Sequence, residues 1–265
     1  MFISLTSWQL GLLVFTVIVG ASAAGVLAGR YLRRREETHR EPIGVLQGTL
    51  LGIVGLILAF GLSLAVGRYQ DRRADVVADA NTIGTAYLRA QTLPEPQRSR
   101  SLALLRIYND LAIQITYEVP GSTSIRNTSE RQGRLHRSLW RLAAQTLEAR
   151  PNASAPRLYV DSLNAMIDEQ DVRLSGLNNR VPDAVLWLEL LGAALALGLT
   201  ALYLSLLGRG AGVLAVLAAA VLVSSLVLIT FDLDRPTRGL ISIPATPLLA
   251  EKAAMSLPPA APAAP

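Results

Sequence analysis

IGVLQGTLLGIVGLILAFGLSLAVG, residues Ile43 to Gly67, contains no Asp, Glu, Lys, Arg or His. At ~1.5 Å per helical residue the run covers about 37 Å, more than the ~30 Å hydrocarbon thickness of a bilayer. Pro42 stands just before it, where a helix does not need the missing N–H. The run predicts a membrane-spanning helix.

Three other stretches read the same way: Trp8 to Gly29, Ala184 to Leu207 behind Val181-Pro182-Asp183, and Ala211 to Phe231. Gly208-Arg209-Gly210 separates the last two, and so short a turn makes them an antiparallel hairpin. The expected fold is all-α and polytopic, with four transmembrane helices in two pairs, 1–67 and 184–231. A helical extramembrane domain, 68–183, lies between the pairs. A C-terminal segment, 232–265, follows, with a Pro/Ala-rich tail expected to be disordered from about 258.

Composition agrees. The 265 residues are 51% hydrophobic and only 17% charged, with a mean hydropathy of +0.37, too apolar for a soluble domain of this length. A pI near 10.0 fits basic residues held against anionic headgroups, so the partner called for is a lipid bilayer and not nucleic acid. With no cysteine, disulfides, thiolate metal sites and a cysteine nucleophile are excluded. All but one of the 25 basic residues are Arg, a bias expected of a GC-rich bacterium, which makes the expected location a bacterial inner membrane.

Ala21-Ser22-Ala23 resembles a signal-peptide processing site, but positive charge follows this first apolar run and does not precede it. Arg30, Arg33, Arg34, Arg35 and Arg40 after the first span hold that loop in the cytoplasm by the positive-inside rule. By parity the N-terminus, central domain and C-terminus then lie outside, with Arg209 inside. Arg68, Arg72, Arg73, Arg173, Arg180, Arg235 and Arg238 pull the other way.

Between the pairs, apolar residues recur at helical spacing. The stripes are Val76, Ala80, Ile83 and Tyr87; Leu102, Leu105, Tyr108, Ala112 and Ile115; Leu135, Leu139, Leu142 and Thr146; and Leu163, Met166, Ile167, Gln170, Leu174 and Leu177. Their expected role is packing. The two histidines, His39 and His136, have no companions at metal-ligand spacing, so neither a catalytic residue, a cofactor nor a metal is expected.

In the second span Gly44, Gly48, Gly52 and Gly55 let a neighbouring helix approach. Ile53, Ile57, Phe60 and Leu64 share another face, which would line a dry constriction if copies surrounded an axis and would otherwise meet core or lipid. Arg68, Arg72 and Arg73 stand at the end of the span with Asp71 and Asp75 close by. They either concentrate anions at an entrance or anchor at the interface, by snorkelling to headgroups or pairing with aspartates such as Asp232 and Asp234. Glu189 falls a turn or two inside the third span, where an unpaired carboxylate is costly. It would either gate or relay protons there or, near the end and beside Trp187, reach the interface, and the second is the expectation.

Phe60, Arg68, Tyr69, Asp71, Arg73 and Asn81 resemble a pattern of bestrophin-type anion channels, although Gly61, Ser63 and Val66 replace the Arg, Asn and Tyr usual there. Over most of its length the chain is similar to a bacterial membrane family with a bestrophin-like domain. The residues that carry the likeness are Asp79, Asn81, Gly84 and Tyr87 in DANTIGTAYLR, followed by Leu93-Pro94; Asn164 and Asp168 in LNAMID; Asn179-Arg180-Val181-Pro182; and Asp234, Arg235 and Pro236 in DLDRP, with Gly239-Leu240-Ile241. The resemblance implies a homo-oligomeric ring, a pentamer, passing anions along an axis lined by the second span. It also implies a cytoplasmic helical domain, opposite to the charge reading. The other class open is a non-conducting membrane protein whose helical domain binds a partner or senses the envelope.

Overall fold

The computed structural model describes residues 5–33, 40–208 and 211–261, without the side chains of 40–42, 211 and 213. Among the described residues eight helices follow one another: α1 Ser7–Arg33, α2 Arg40–Ala90, α3 Gln97–Tyr117, α4 Thr123–Ala149, α5 Ser154–Asn178, α6 Asp183–Leu206, α7 Ala211–Leu233 and α8 Thr246–Ala254. No strand occurs among the described residues. The protein is an all-α polytopic membrane protein, with α1, α2, α6 and α7 each long and apolar enough to cross a bilayer. Arg34, Arg35, His39, Arg209 and Gly210 of the sequence reading lie outside the described residues.

The chain divides into two compact units, Met1–Tyr69 with Arg180–Ser242, and Gln70–Asn179 with Ile243–Pro265. In the first, Leu10, Val14 and Ile18 of α1, spaced by four, meet Leu186, Leu190 and Leu197 of α6 and Val227 and Phe231 of α7 in one core. Val54 and Leu58 bring α2 into the same core. The outside is equally apolar: Leu12, Phe15, Leu188, Leu191, Leu195, Val221 and Leu222 are exposed. Such a surface is stable only against lipid tails.

Since lipid is as apolar as leucine, the helices hold together by close packing. A Cβ at Gly25 would lie 2.0 Å from the Gly198 carbonyl oxygen and one at Gly29 2.5 Å from that of Leu202, so the backbones of α1 and α6 are nearly in contact. Ser205 Oγ donates to the Val26 carbonyl at 3.1 Å across the same seam. Between α2 and α6, Gln47 Nε2 donates to Thr200 Oγ1 at 3.0 Å, and a Cβ on Gly44 would meet the Tyr203 ring at 2.9 Å. Gly48, Gly52 and Gly55 have nothing of this chain within 4 Å of such a position.

The second unit is a helical domain built on the expected stripes. Ile83, Leu105, Tyr108, Leu139, Leu163 and Met166 are fully or almost fully buried, each side chain of this size contributing about 1.5–3 kcal/mol by leaving water. Ser122 caps α4, its Oγ accepting from Ile125 N–H at 3.3 Å. The Glu118 carboxylate, just past α3, accepts from Ser124 Oγ at 2.6 Å and Thr128 Oγ1 at 2.9 Å and so pins the α3–α4 turn.

Three expectations change. Span two and the first stripe form a single helix, α2, because nothing between Gly67 and Val76 breaks it. The segment from Ile243 belongs with the helical domain and forms α8, whose Leu248 carbonyl accepts from Asn109 Nδ2 of α3 at 3.1 Å. Nor does the tail trail free from 258. Ala260 N–H donates to Gln91 Oε1 at 2.7 Å, and Arg98 donates to the Ala261 carbonyl at 2.9 Å. Residues 262–265 lie outside the described ones.

Candidate functional site

The second span presents two faces. Val54, Leu58, Gly61 and Ala65, at helical spacing, are buried. Ile53, Phe60 and Leu64 are exposed at 53%, 61% and 59%, and Ile57 is half-buried. The four proposed axis-facing residues thus lie away from the packed face, and their own chain leaves three of them uncovered.

Within the first unit the end of this span is tied down by charge. Arg68 Nη1 lies 3.8 Å from Asp234 Oδ1, and the same carboxylate accepts from Val181 N–H at 3.0 Å. Asp232 Oδ2 accepts from Ile241 N–H at 2.9 Å. A Cβ on Gly239 would meet both that carboxylate and the Asp232 carbonyl at 2.8 Å, so glycine lets the loop fold back. Arg235 is buried and donates to the Leu5 carbonyl, while Ser7 Oγ donates to the Arg238 carbonyl at 2.9 Å. Pro236 is buried beside it and Arg180 half-buried. DLDRP is therefore a clasp joining the start of α1, the end of the second span within α2, the end of α7, and the lead into α6.

In the second unit Arg72 is buried, donating to the carbonyls of Gly176 at 3.1 Å and Asn179 at 2.7 Å. It terminates α5 instead of facing an open mouth. Arg73 is exposed. Asp79 and Arg173 are 1% and 3% exposed and pair at 2.5 Å, with Arg173 also donating to the Ala112 carbonyl and to Thr116 Oγ1. Next to them Tyr108 donates to Gln170 Oε1 at 2.7 Å, and burial holds its phenol well above the usual range. Burial likewise pushes Tyr159 up to about 12 and draws His136, half-buried beside the Tyr108 ring, below the ordinary histidine value.

The remaining family-motif residues divide between packing and surface. Tyr87 donates to the Met255 carbonyl at 3.0 Å and accepts from Arg106 at 2.6 Å. Gly84 is buried with its Cα face towards Glu251, whose carboxyl oxygen would lie 2.5 Å from a Cβ there. Asn81, Asn164 and Asp168 are exposed. Asn81 lines a cavity of about 260 Å3 with Thr85, Arg89 and Asp161.

Sequence reasoning noticed Glu189 but misplaced it. It does not reach the interface, being 1% exposed and packed against Gly61, where a Cβ would lie 1.7 Å from Oε1. Its signal was the glycine in the resembled arginine's place. Among the described residues no group of three His, Cys, Asp or Glu could hold a metal ion.

The family model of the bestrophin-like domain matches residues 14–248, nearly the whole described chain. The chain belongs to the bestrophin-like family. This bestrophin-like fold is also similar to two crystal structures of single-substitution variants of a bacterial bestrophin homologue from Klebsiella pneumoniae. One has a TM-score of 0.67 at 15% identity, covering 90% of this chain and 97% of that one. The other has a TM-score of 0.66 at 15% identity, covering 91% and 95%. At that identity the likeness shows a shared fold. No curated protein sequence matches this bestrophin-like chain.

Proposed function

We propose that this bestrophin-like protein is a homo-oligomeric anion channel and not an enzyme, with a ring of copies, five by the family resemblance, surrounding an axis lined by α2. One observation carries the reading: α2 buries one face in its own chain and leaves Ile53, Phe60 and Leu64 on the other uncovered. In a ring, Ile53, Ile57, Phe60 and Leu64 form a dry constriction, and the open flank of Gly48, Gly52 and Gly55 is available to a neighbouring copy. Exposed Arg73 raises the local anion concentration at the mouth, whereas Arg68 is paired with Asp234 and Arg72 serves the helical domain.

The site of action in this reading is a bacterial inner membrane, with the arginines that follow the first span favouring a central domain outside the cytoplasm. A periplasm-dependent reporter inserted at Asn127 is expected to be active. Silence there with activity of a cytoplasmic reporter would reverse the sidedness without touching the channel reading.

Purified protein in a planar bilayer tests conduction. The expected result is an anion-selective current from an assembly whose native mass is several times the 28.4 kDa of one chain. A monomer contradicts the ring. Silence from a proven ring contradicts conduction and favours the non-conducting class, in which the helical domain binds a partner or senses the envelope.

A further inference from the structure

Glu189 lies six residues into α6, about 9 Å along its axis from Asp183. It is 1% exposed, and neither carboxyl oxygen has a hydrogen-bond partner among the described residues. Its neighbours on α6, Leu186 and Leu190, and Leu58 one turn before Gly61 on α2, belong to the apolar core. The carboxyl rests on the bare Cα of Gly61, and any side chain there would occupy its place.

Four charged groups at this end of the membrane unit have other contacts. On α2, Arg68 faces Asp234, whose carboxylate also takes the Val181 N–H. At the end of α7, Asp232 takes the Ile241 N–H and Arg235 serves the Leu5 carbonyl. Asp183 begins α6, and between Leu5 and Gly29 the α1 segment carries no titratable side chain. An ionised carboxylate left without a partner in such surroundings is strongly disfavoured, whereas a neutral acid is tolerated.

We infer that Glu189 is a proton-binding site within the membrane, a carboxylic acid held neutral against Gly61, so that losing the proton requires α6 to separate from α2 and admit water. This does not depend on conduction. If α2 lines a pore, the proton at Glu189 also sets the position of the pore helix, a consequence that rests on the channel reading.

The test is labelling of the intact protein in membranes with dicyclohexylcarbodiimide. The acid proton passes to a carbodiimide nitrogen, the carboxyl oxygen adds to the central carbon, and the adduct rearranges to an N-acylurea with nothing leaving. Expected is a mass gain of one reagent molecule on the peptide containing Glu189, absent from Glu189→Gln. A water-soluble carbodiimide with an amine should modify exposed acids such as Asp161 and spare Glu189. Gly61→Ala should reverse this preference at Glu189 by displacing the carboxyl. Where that variant does not accumulate, unchanged accumulation of Glu189→Gln, the neutral isostere, set against loss of Glu189→Lys, carries the same prediction. Glu189 unlabelled by the hydrophobic reagent, or labelled as readily as Asp161 by the soluble one, overturns the inference.

Discussion

Asp79 and Arg173 form the most consequential pair in the helical domain. Both are almost fully buried, and removal of one partner strands the other's charge. Asp79→Asn is expected to cost about 3–5 kcal/mol, seen as a lower thermal midpoint in detergent, while Asp79→Leu with Arg173→Met should recover most of it. Equal loss in the single and double variants would argue against the pair. Tyr87→Phe removes the bond to the Met255 carbonyl and should cost about 1 kcal/mol. His136 contributes to the pH dependence. Burial favours its neutral form in the fold, so the unfolded chain binds the proton more tightly below the ordinary value of 6.5. Stability should therefore fall as pH drops through 6.5 towards the depressed folded value, and this acid-side loss should be smaller in His136→Gln, measured as midpoint against pH.

Among the helices, α1 and α6 make the closest approach. Gly25→Ala places a Cβ 2.0 Å from a carbonyl oxygen that no rotamer change can move. The helices must part, at about 1–3 kcal/mol or more, and folded protein recovered from membranes should drop. Gly52→Leu meets open space within the chain, so its thermal midpoint should hold while the assembled fraction falls on a sizing column. An unaltered assembly would remove that glycine flank from the contact between copies. The four spans were legible because uncharged length is a local property. Their observed ends, such as Asp183–Leu206 against an expected 184–207, differ by a few residues. The extension of α2 to Ala90 was hidden by the change from apolar to charged residues, which marks a change of surroundings and not the end of a helix. Helix α8 escaped because nine residues anchored chiefly by buried Leu248 show no periodicity. Tyr87 and Asp79 stood out as motif residues, but their partners Met255 and Arg173 sit on distant segments that spacing cannot pair. For the same reason spacing could not pair Glu189 with Gly61, although the glycine itself marked the position.

For the molecule as a whole, the absence of cysteine from the sequence makes a direct test of the α2 claim practicable, since an introduced thiol would be unique. Ile57→Cys puts that thiol on the proposed constriction, and Leu222→Cys puts it on α7, where the leucine is 71% exposed and, on this account, faces lipid. The measurement is current through the reconstituted protein before and after a charged methanethiosulfonate reagent is added. The account predicts that the reagent changes current through Ile57→Cys and leaves Leu222→Cys and the unsubstituted chain unaffected. Unchanged current through an Ile57→Cys assembly that mass spectrometry shows to be modified would contradict α2 as the wall of the pore.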